Sequence, residues 1–243
     1  MTRQAVIVST ARTPIGRAYR GAFNDTDAPT LGGHAIANAV KRAGIDSAEV
    51  DDVIMGCAMQ QGSSGQNIGS TSAIAAGLPN SVSGMSIDRQ CSSGMLAIAT
   101  AAKQIVHDHM PITVGGGLES ISLVQNEHRN AYRAQDPNVI AKSQHAYMSM
   151  LETAETVAKR YDISREQQDE YGLQSQQRTA AAQEAGKFND EIVPLPSKMV
   201  FVDKETKKQR IHDVTLDKDE GNRPTTTAEG LAGLKTVFEG GVI

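Results

Sequence analysis

The chain has 243 residues, a formal net charge of −4 and only two cysteines. This length allows one large domain or two modest ones with a buried core. The Lys and Arg residues are scattered along the chain, which argues against nucleic acid as the main partner. Two cysteines do not make a disulfide framework, and no apolar run approaches a signal peptide or the roughly 18 residues of a membrane span. We therefore expect a cytoplasmic protein without a nucleic-acid partner, a membrane partner or a metal site.

The first half of the chain alternates short apolar runs with Ala-rich segments. The apolar runs contain β-branched residues between Gly, Pro or Asp, which predicts buried strands at AVIVST (5–10), DVIMGCA (52–58), GMSID (84–88) and PITVGGG (111–117). The Ala-rich segments place apolar residues three or four apart, which predicts helices at 28–44, 65–78 and 91–106. This alternation is typical of the α/β class, with a mostly parallel mixed sheet covered by helices on both faces.

The character of the sequence changes near residue 120. Residues 126–147 are polar and irregular, which predicts a loop-rich excursion. Residues 164–186 are predicted to form a long amphipathic helix, with Ser164 and Gln167 at capping-box spacing and Gly186 as its stop. The Lys-rich stretch 201–210 is typical of a solvated turn. We accordingly predict a first domain at 1–120 and a loop-rich helical domain at 121–243.

The sharpest chemical signal is Cys91 in SIDRQCSSGMLAIATAA. A strand and a short turn precede it, so Cys91 is predicted to stand at the start of an Ala-rich helix. The first N–H groups of a helix have no intrahelical partner and carry partial positive charge, so a thiolate there is stabilised. The same groups can stabilise the oxyanion formed when a thiolate attacks a thioester. From position alone, a buried cysteine packed as a small hydrophobe remains an equal alternative.

Five segments resemble one family, the thiolases of the acetyl-CoA acetyltransferase and 3-ketoacyl-CoA type. They are STARTPIGRAYRGAF, SIDRQCSSGMLAI, GGGLES, TAETVAKRYDISREQQDEYGLQSQQRTAAA and DEGNRPTTTAEGLAGLKTVF. The first three follow the family's order and spacing, and the similarity covers essentially the whole chain. The resemblance implies the layered α/β thiolase fold, with the loop domain binding coenzyme A. It also implies acetyl-CoA, 3-ketoacyl-CoA and coenzyme A as substrates, no permanently bound cofactor, and a homodimer or tetramer.

The resemblance also implies roles for individual residues. Cys91 matches the nucleophile, whose acyl-thioester intermediate either condenses with a second acetyl-CoA or is released by coenzyme A. Arg223 matches an arginine that packs against the adenine of coenzyme A, a contact that suits a guanidinium. Gly230 and Leu234 match positions that flank the pantetheine and adenine. Met150 matches a methionine that lies over the acyl pocket.

Several family features are missing. The family uses a histidine in Gly-His-Pro, a second cysteine near a Gly-rich turn and an asparagine in Asn-Glu-Ala, and none of these motifs occurs in the chain. Cys57 lies in a strand-like run and is expected to be a core residue. Thiolases continue well past Ile243, so a C-terminal thiolase domain is expected to be absent from this chain. Many members also have His-Met-Gly where this chain has Ser149-Met150-Leu151, which makes the acyl chain length uncertain.

Other functions stay open at this point. The missing histidine and second cysteine favour a non-catalytic acyl-CoA or lipid-binding module on the same fold, or a truncated inactive fragment. A condensing enzyme of the ketoacyl synthase type is a further alternative, although the matching loop domain favours free coenzyme A over a carrier-bound substrate. A cysteine hydrolase is the most distant, because no His and Asn pattern accompanies Cys91.

Overall fold

The computed structural model describes residues 3–203, 205–206 and 208–243. The helices are α1 (Ala28–Ala43), α2 (Ile68–Ala75), α3 (Ser93–His107), α4 (Ile121–Val124), α5 (Pro137–Lys142), α6 (Met150–Tyr161), α7 (Arg165–Glu184) and α8 (Ala228–Ala232). The strands are β1 (Asp52–Gly56), β2 (Ser83–Ile87), β3 (Thr113–Gly117), β4 (Leu195–Val202) and β5 (Gln209–Leu216). Among the described residues, no helix has the length and apolar character needed to cross a membrane.

The described residues form two compact units. The first unit comprises the residues up to Asn130 together with Asn189–Gly221, and the second comprises Ala131–Phe188 with Asn222–Ile243. This division differs from the predicted domains at 1–120 and 121–243. The difference arises because β4 and β5, which follow the helical segment in sequence, pack with the first unit.

The first unit is built on a three-stranded parallel sheet in the order β2-β1-β3. Successive residues of β1 point to opposite faces, so Val53 and Met55 join the cluster formed with α1 and α2, whereas Ile54 packs against Ala97 and Ala101 of α3. All five residues of β1 are buried. The predicted parallel sheet covered by helices on both faces is therefore confirmed, as are its three strands and three helices.

The predicted strand at 5–10 is wrong. Residues 5–10 form no strand, and Val6, Ile7 and Val8 are exposed by 71%, 76% and 74%. The apolar pattern suited a strand, but a strand requires a neighbour for its backbone groups, and no described residues pair with this segment. The segment is instead attached to the unit by side chains, because the Ser9 hydroxyl donates to the Ala39 carbonyl and Arg42 donates to the Thr10 carbonyl.

The antiparallel pair β4–β5 was not predicted. Its register runs from Leu195↔Leu216 to Val202↔Gln209, so the Lys-rich stretch 201–210 includes the ends of both strands as well as the turn. Lys204 and Lys207 lie outside the described residues. Leu195 begins β4 and Leu216 ends β5, so this pair lies at the end of the hairpin away from its turn. Both residues are buried with Ala22 and Phe23, and this contact places the hairpin in the first unit.

The second unit is helical. The capping box of α7 is confirmed, since the Ser164 hydroxyl accepts from the Gln167 N–H and the Gln167 side chain accepts from the Ser164 N–H. Gly186 follows the helix with φ +66°. The prediction of an amphipathic α7 needs correction, because no residue of this helix is buried. Its half-buried positions repeat at helical spacing, but most of them are polar, for example Arg165, Asp169 and Gln176.

Candidate active site

Cys91 lies in the turn that joins β2 to α3. β2 ends at Ile87 and α3 begins at Ser93, so the thiol stands at the N-terminal end of a 15-residue helix. Cys91 is a free, exposed cysteine. The three parallel strands all end at the edge of the sheet where this turn lies, and that edge is where α/β proteins commonly bind ligands.

Hydrogen bonds within the turn hold its backbone. The Gln90 N–H donates to Asp88 Oδ1 at 2.7 Å, and Gln90 has the left-handed conformation with φ +50°. The Ser92 N–H donates to the Arg89 carbonyl at 3.1 Å, and the Ser93 N–H donates to the Gln90 carbonyl at 3.0 Å. A left-handed conformation is uncommon in residues other than glycine and tends to persist at functional sites where the surroundings enforce it.

Two glycines let the start of α3 lie directly against the strand ends. A Cβ atom added to Gly56 would overlap the backbone of Ser93 and Gly94. One added to Gly117 would come within 3.0 Å of the Gly56 carbonyl oxygen and of the Gly94 Cα. The position of Cys91 relative to the sheet therefore depends on backbone-to-backbone contact at the ends of β1 and β3.

The second cysteine has the opposite character. Cys57 is 1% exposed, and its thiol donates to Glu119 Oε1 at 3.4 Å. Burial, followed by the nearby Glu119 carboxylate, raises the pKa of Cys57 to about 11, so this thiol stays protonated at neutral pH. The prediction that Cys57 is a core residue agrees with its burial.

Glu119 was not singled out from the sequence, although it lies in the GGGLES motif. Its carboxylate accepts the Cys57 thiol and also the N–H groups of Ala58 and Met59, at 3.0 and 3.1 Å. One side chain beyond the end of β3 therefore holds the backbone beyond the end of β1. The only sequence signal was an acidic residue two positions after a predicted strand.

Three of the four predicted coenzyme A residues lie in one segment of the second unit. Gln176 of α7 accepts from the backbone N–H of Arg223 at 2.7 Å, and the Thr226 hydroxyl donates to the Arg223 carbonyl. The Thr227 hydroxyl accepts from the Gly230 N–H and caps α8. Leu234 follows this helix and is 59% exposed.

Met150 lies elsewhere in the second unit, as the first residue of α6, and its side chain is 75% exposed. The preceding Ser149 forms a capping box with Glu152. The serine that replaces the histidine found in many family members therefore has a local structural role. Arg223, Gly230 and Leu234 lie within one short segment of the second unit, whereas Cys91 belongs to the first unit.

Comparisons with known proteins agree on one family. A family model described as "Thiolase, N-terminal domain" matches residues 5–243. The 3-ketoacyl-CoA thiolase of Bacillus subtilis is 38% identical over 97% of this chain, and the beta-ketoadipyl-CoA thiolase of Pseudomonas aeruginosa is 37% identical over 98% of it. In both cases the match covers 60% of the relative.

A solved structure gives the same result. The crystal structure of the Bacillus anthracis acetyl-CoA acetyltransferase matches 100% of this chain and 61% of its own chain, with 37% identity and a TM-score of 0.79. The chain thus spans about 60% of the length of the relatives it matches. Because the family model covers nearly every residue, the chain belongs to the thiolase family.

Proposed function

We propose that the protein is an acyl-CoA acyltransferase of the thiolase type, in which Cys91 carries the acyl group. The supporting observation is the exposed thiol of Cys91 at the N-terminal end of α3, at the carboxyl edge of a parallel sheet. The other thiol is buried and stays protonated. The chain therefore offers one accessible thiol, and that thiol lies where a helix terminus favours negative charge.

The proposed first step is an acyl transfer. The Cys91 thiolate attacks the carbonyl carbon of an acyl-CoA, and the oxyanion faces first-turn N–H groups of α3 other than that of Ser93, which donates to the Gln90 carbonyl. The carbon–sulfur bond to coenzyme A breaks, the coenzyme A thiolate leaves and takes up a proton, and the acyl group stays on Cys91 as a thioester. In condensation, a second acetyl-CoA loses an α-proton to a base, its carbanion attacks the acyl carbonyl carbon, and the Cys91 thiolate leaves. In thiolysis, the thiolate instead attacks the ketone carbon of a 3-ketoacyl-CoA, the bond to the α-carbon breaks, and acetyl-CoA leaves after taking up a proton. Coenzyme A then attacks the thioester on Cys91 and releases a shortened acyl-CoA.

The proposed substrates are acetyl-CoA, 3-ketoacyl-CoA and free coenzyme A, with no permanently bound cofactor. The names of the two relatives support 3-keto acyl thioesters as the class. In the second unit, Arg223 is proposed to stack on the adenine, and Gly230 and Leu234 to flank the pantetheine and adenine. Met150 is proposed to border the acyl pocket, and its exposed side chain leaves it accessible to a ligand. A homodimer or tetramer in the cytoplasm is part of the same proposal.

A second candidate is a non-catalytic acyl-CoA-binding module. None of the six histidines lies in the family's Gly-His-Pro motif, and Cys57 is too deeply buried to handle a substrate proton. Such a module would bind coenzyme A through the second unit without forming an acyl-cysteine. The two candidate functions therefore differ in whether an acyl group becomes covalently bound to Cys91.

The test is the intact mass and peptide map of the protein after incubation with acetyl-CoA. We expect one acetyl group on the peptide that contains Cys91, its loss in Cys91→Ala, and its retention in the matched control Cys57→Ala. An acetyl group on another residue would contradict the role of Cys91. Coenzyme A binding by calorimetry without any adduct would establish the binding module instead.

A further inference from the structure

Ser93 has a buried hydroxyl whose two hydrogen bonds both reach back into the turn before α3. The residue is 3% exposed. Its Oγ accepts from the Arg89 N–H at 2.8 Å and donates to the Gln90 carbonyl at 2.6 Å. Both partners precede Cys91 in the chain and Ser93 follows it, so these hydrogen bonds join the two sides of the turn that carries the thiol.

These bonds are not an ordinary helix cap. A capping side chain belongs to the residue before the helix and accepts from N–H groups inside it. Ser92 occupies that position, and its hydroxyl makes no capping bond. Ser93 is the first residue of the helix, and its hydroxyl binds the preceding turn instead. The Ser93 hydroxyl therefore fixes the backbone of the turn before the helix. Neither serine side chain caps an N–H group in the first turn of α3.

The turn needs this support because of its backbone geometry. Gln90 has a left-handed conformation, which is unfavourable for a residue with a side chain. The Gln90 carbonyl accepts both the N–H and the hydroxyl of Ser93, so Ser93 binds the strained residue twice. Gly56 allows the Ser93 backbone to lie against the end of β1. Ser93 therefore links the strand end, the strained residue and the turn that presents Cys91.

We propose that Ser93 is a positioning residue for the Cys91 nucleophile. Its hydroxyl holds Arg89 and Gln90 so that the Cys91 sulfur stays beside the N-terminal end of α3. That end of the helix carries the N–H groups that would receive the oxyanion. This inference rests on the proposed role of Cys91. It adds that Ser93 maintains the position of the Cys91 sulfur on which that role depends.

The experiment measures the alkylation of each cysteine by iodoacetamide between pH 6 and pH 10, by peptide mass. For Ser93→Ala we expect the Cys91 rate at pH 7 to fall about three- to tenfold, because the turn no longer holds the sulfur beside the N-terminal end of α3. The matched control Ser92→Ala removes the neighbouring hydroxyl, which makes no capping bond, and should keep the wild-type profile. Ser93→Thr retains the hydroxyl and should restore most of the rate.

Cys57 reports on folding in the same samples, because it reacts only when the core opens. An unchanged Cys91 profile in Ser93→Ala, or a Thr variant as slow as the Ala variant, would overturn the proposal. Accelerated labelling of Cys57 in Ser93→Ala would mean that Ser93 only maintains the fold, which also overturns it. Alkylation needs no coenzyme A, so a wild-type protein that takes no acetyl group would refute the proposed function without affecting this result.

Discussion

The two compact units differ in what holds them together. The first unit contains every cluster of buried apolar residues found among the described residues. In the second unit, Glu155 and Ala158 are the only buried residues within the described part of the chain. Burial of apolar surface contributes about 25 cal/mol per Å², so the first unit has the larger hydrophobic contribution to its stability.

Polar contacts take the larger part in the second unit. Capping boxes begin both α6 and α7. Arg165 donates to the Leu231 carbonyl and forms an ion pair with Asp169, and Gln176 accepts from the Arg223 N–H. Such bonds contribute about 0.5–1.5 kcal/mol each, and more when one partner is charged. A unit of this kind is expected to open locally more often than one built on a buried sheet.

The candidate nucleophile stands on the unit with the buried apolar clusters, and the candidate coenzyme A residues stand on the unit held by polar contacts. Catalytic groups need fixed geometry, whereas a segment that binds and releases a large cofactor gains from local opening.

The largest effect is expected from removing a core side chain of the first unit. Ile54 is 0% exposed between the sheet and α3. Ile54→Ala should lower the free energy of unfolding of this unit by about 2–5 kcal/mol, through lost burial and a cavity. The matched variant Leu173→Ala alters a half-buried position of α7 and should cost about 1 kcal/mol or less. Hydrogen exchange resolved by peptide measures the stability of both units. Equal losses in the free energy of unfolding from the two substitutions would contradict the proposed difference between the units.

A smaller effect is expected at the capping box of α7. Ser164→Ala removes the hydroxyl that accepts from the Gln167 N–H, and should destabilise the helix by about 1 kcal/mol. Ser164→Asp keeps an acceptor at this position and adds negative charge near the helix N-terminus, so it should retain most of the stability. Exchange rates of the first-turn amides of α7 measure the change. Similar rates in all three proteins would show that the box contributes little.

The smallest effect is a pH dependence confined to the end of the chain. Burial opposes ionisation of Glu155, but hydrogen bonds from the Val242 and Ile243 N–H groups, with the nearby Lys159, outweigh it and lower its pKa below the usual 4.5. A lowered pKa stabilises the folded form above about pH 4.5, and this stabilisation is lost as the pH falls through the lower value.

Exchange of the Val242 and Ile243 amides should therefore accelerate as the pH falls below about 4.5, beyond the intrinsic pH dependence of exchange. Glu155→Gln should remove this pH dependence. The control Glu184→Gln alters an exposed glutamate at the end of α7 and should keep it. If the pH dependence of exchange persists in Glu155→Gln, a titrating group other than Glu155 causes it.

Local patterns in the sequence were sufficient to predict much of the first unit. The period of apolar residues indicated α1, α2 and α3, and runs of β-branched residues indicated β1, β2 and β3. These predictions succeeded because both faces of the sheet are covered, so burial follows the local pattern closely. The position of Cys91 at a helix start was also readable from the sequence, because it depends only on the boundary between one strand and the next helix.

Tertiary contacts decided the rest. Whether residues 5–10 form a strand depends on a neighbouring strand, which their own pattern of Val and Ile cannot supply. The assignment of β4 and β5 to the first unit depends on Leu195 and Leu216 meeting Ala22 and Phe23 across more than 170 residues of sequence. The roles of Glu119 and Ser93 depend on short hydrogen bonds whose partners no spacing rule indicates. Sequence patterns determined the local elements because those depend on nearby residues, whereas pairing and hydrogen bonding depend on where distant backbone comes to lie.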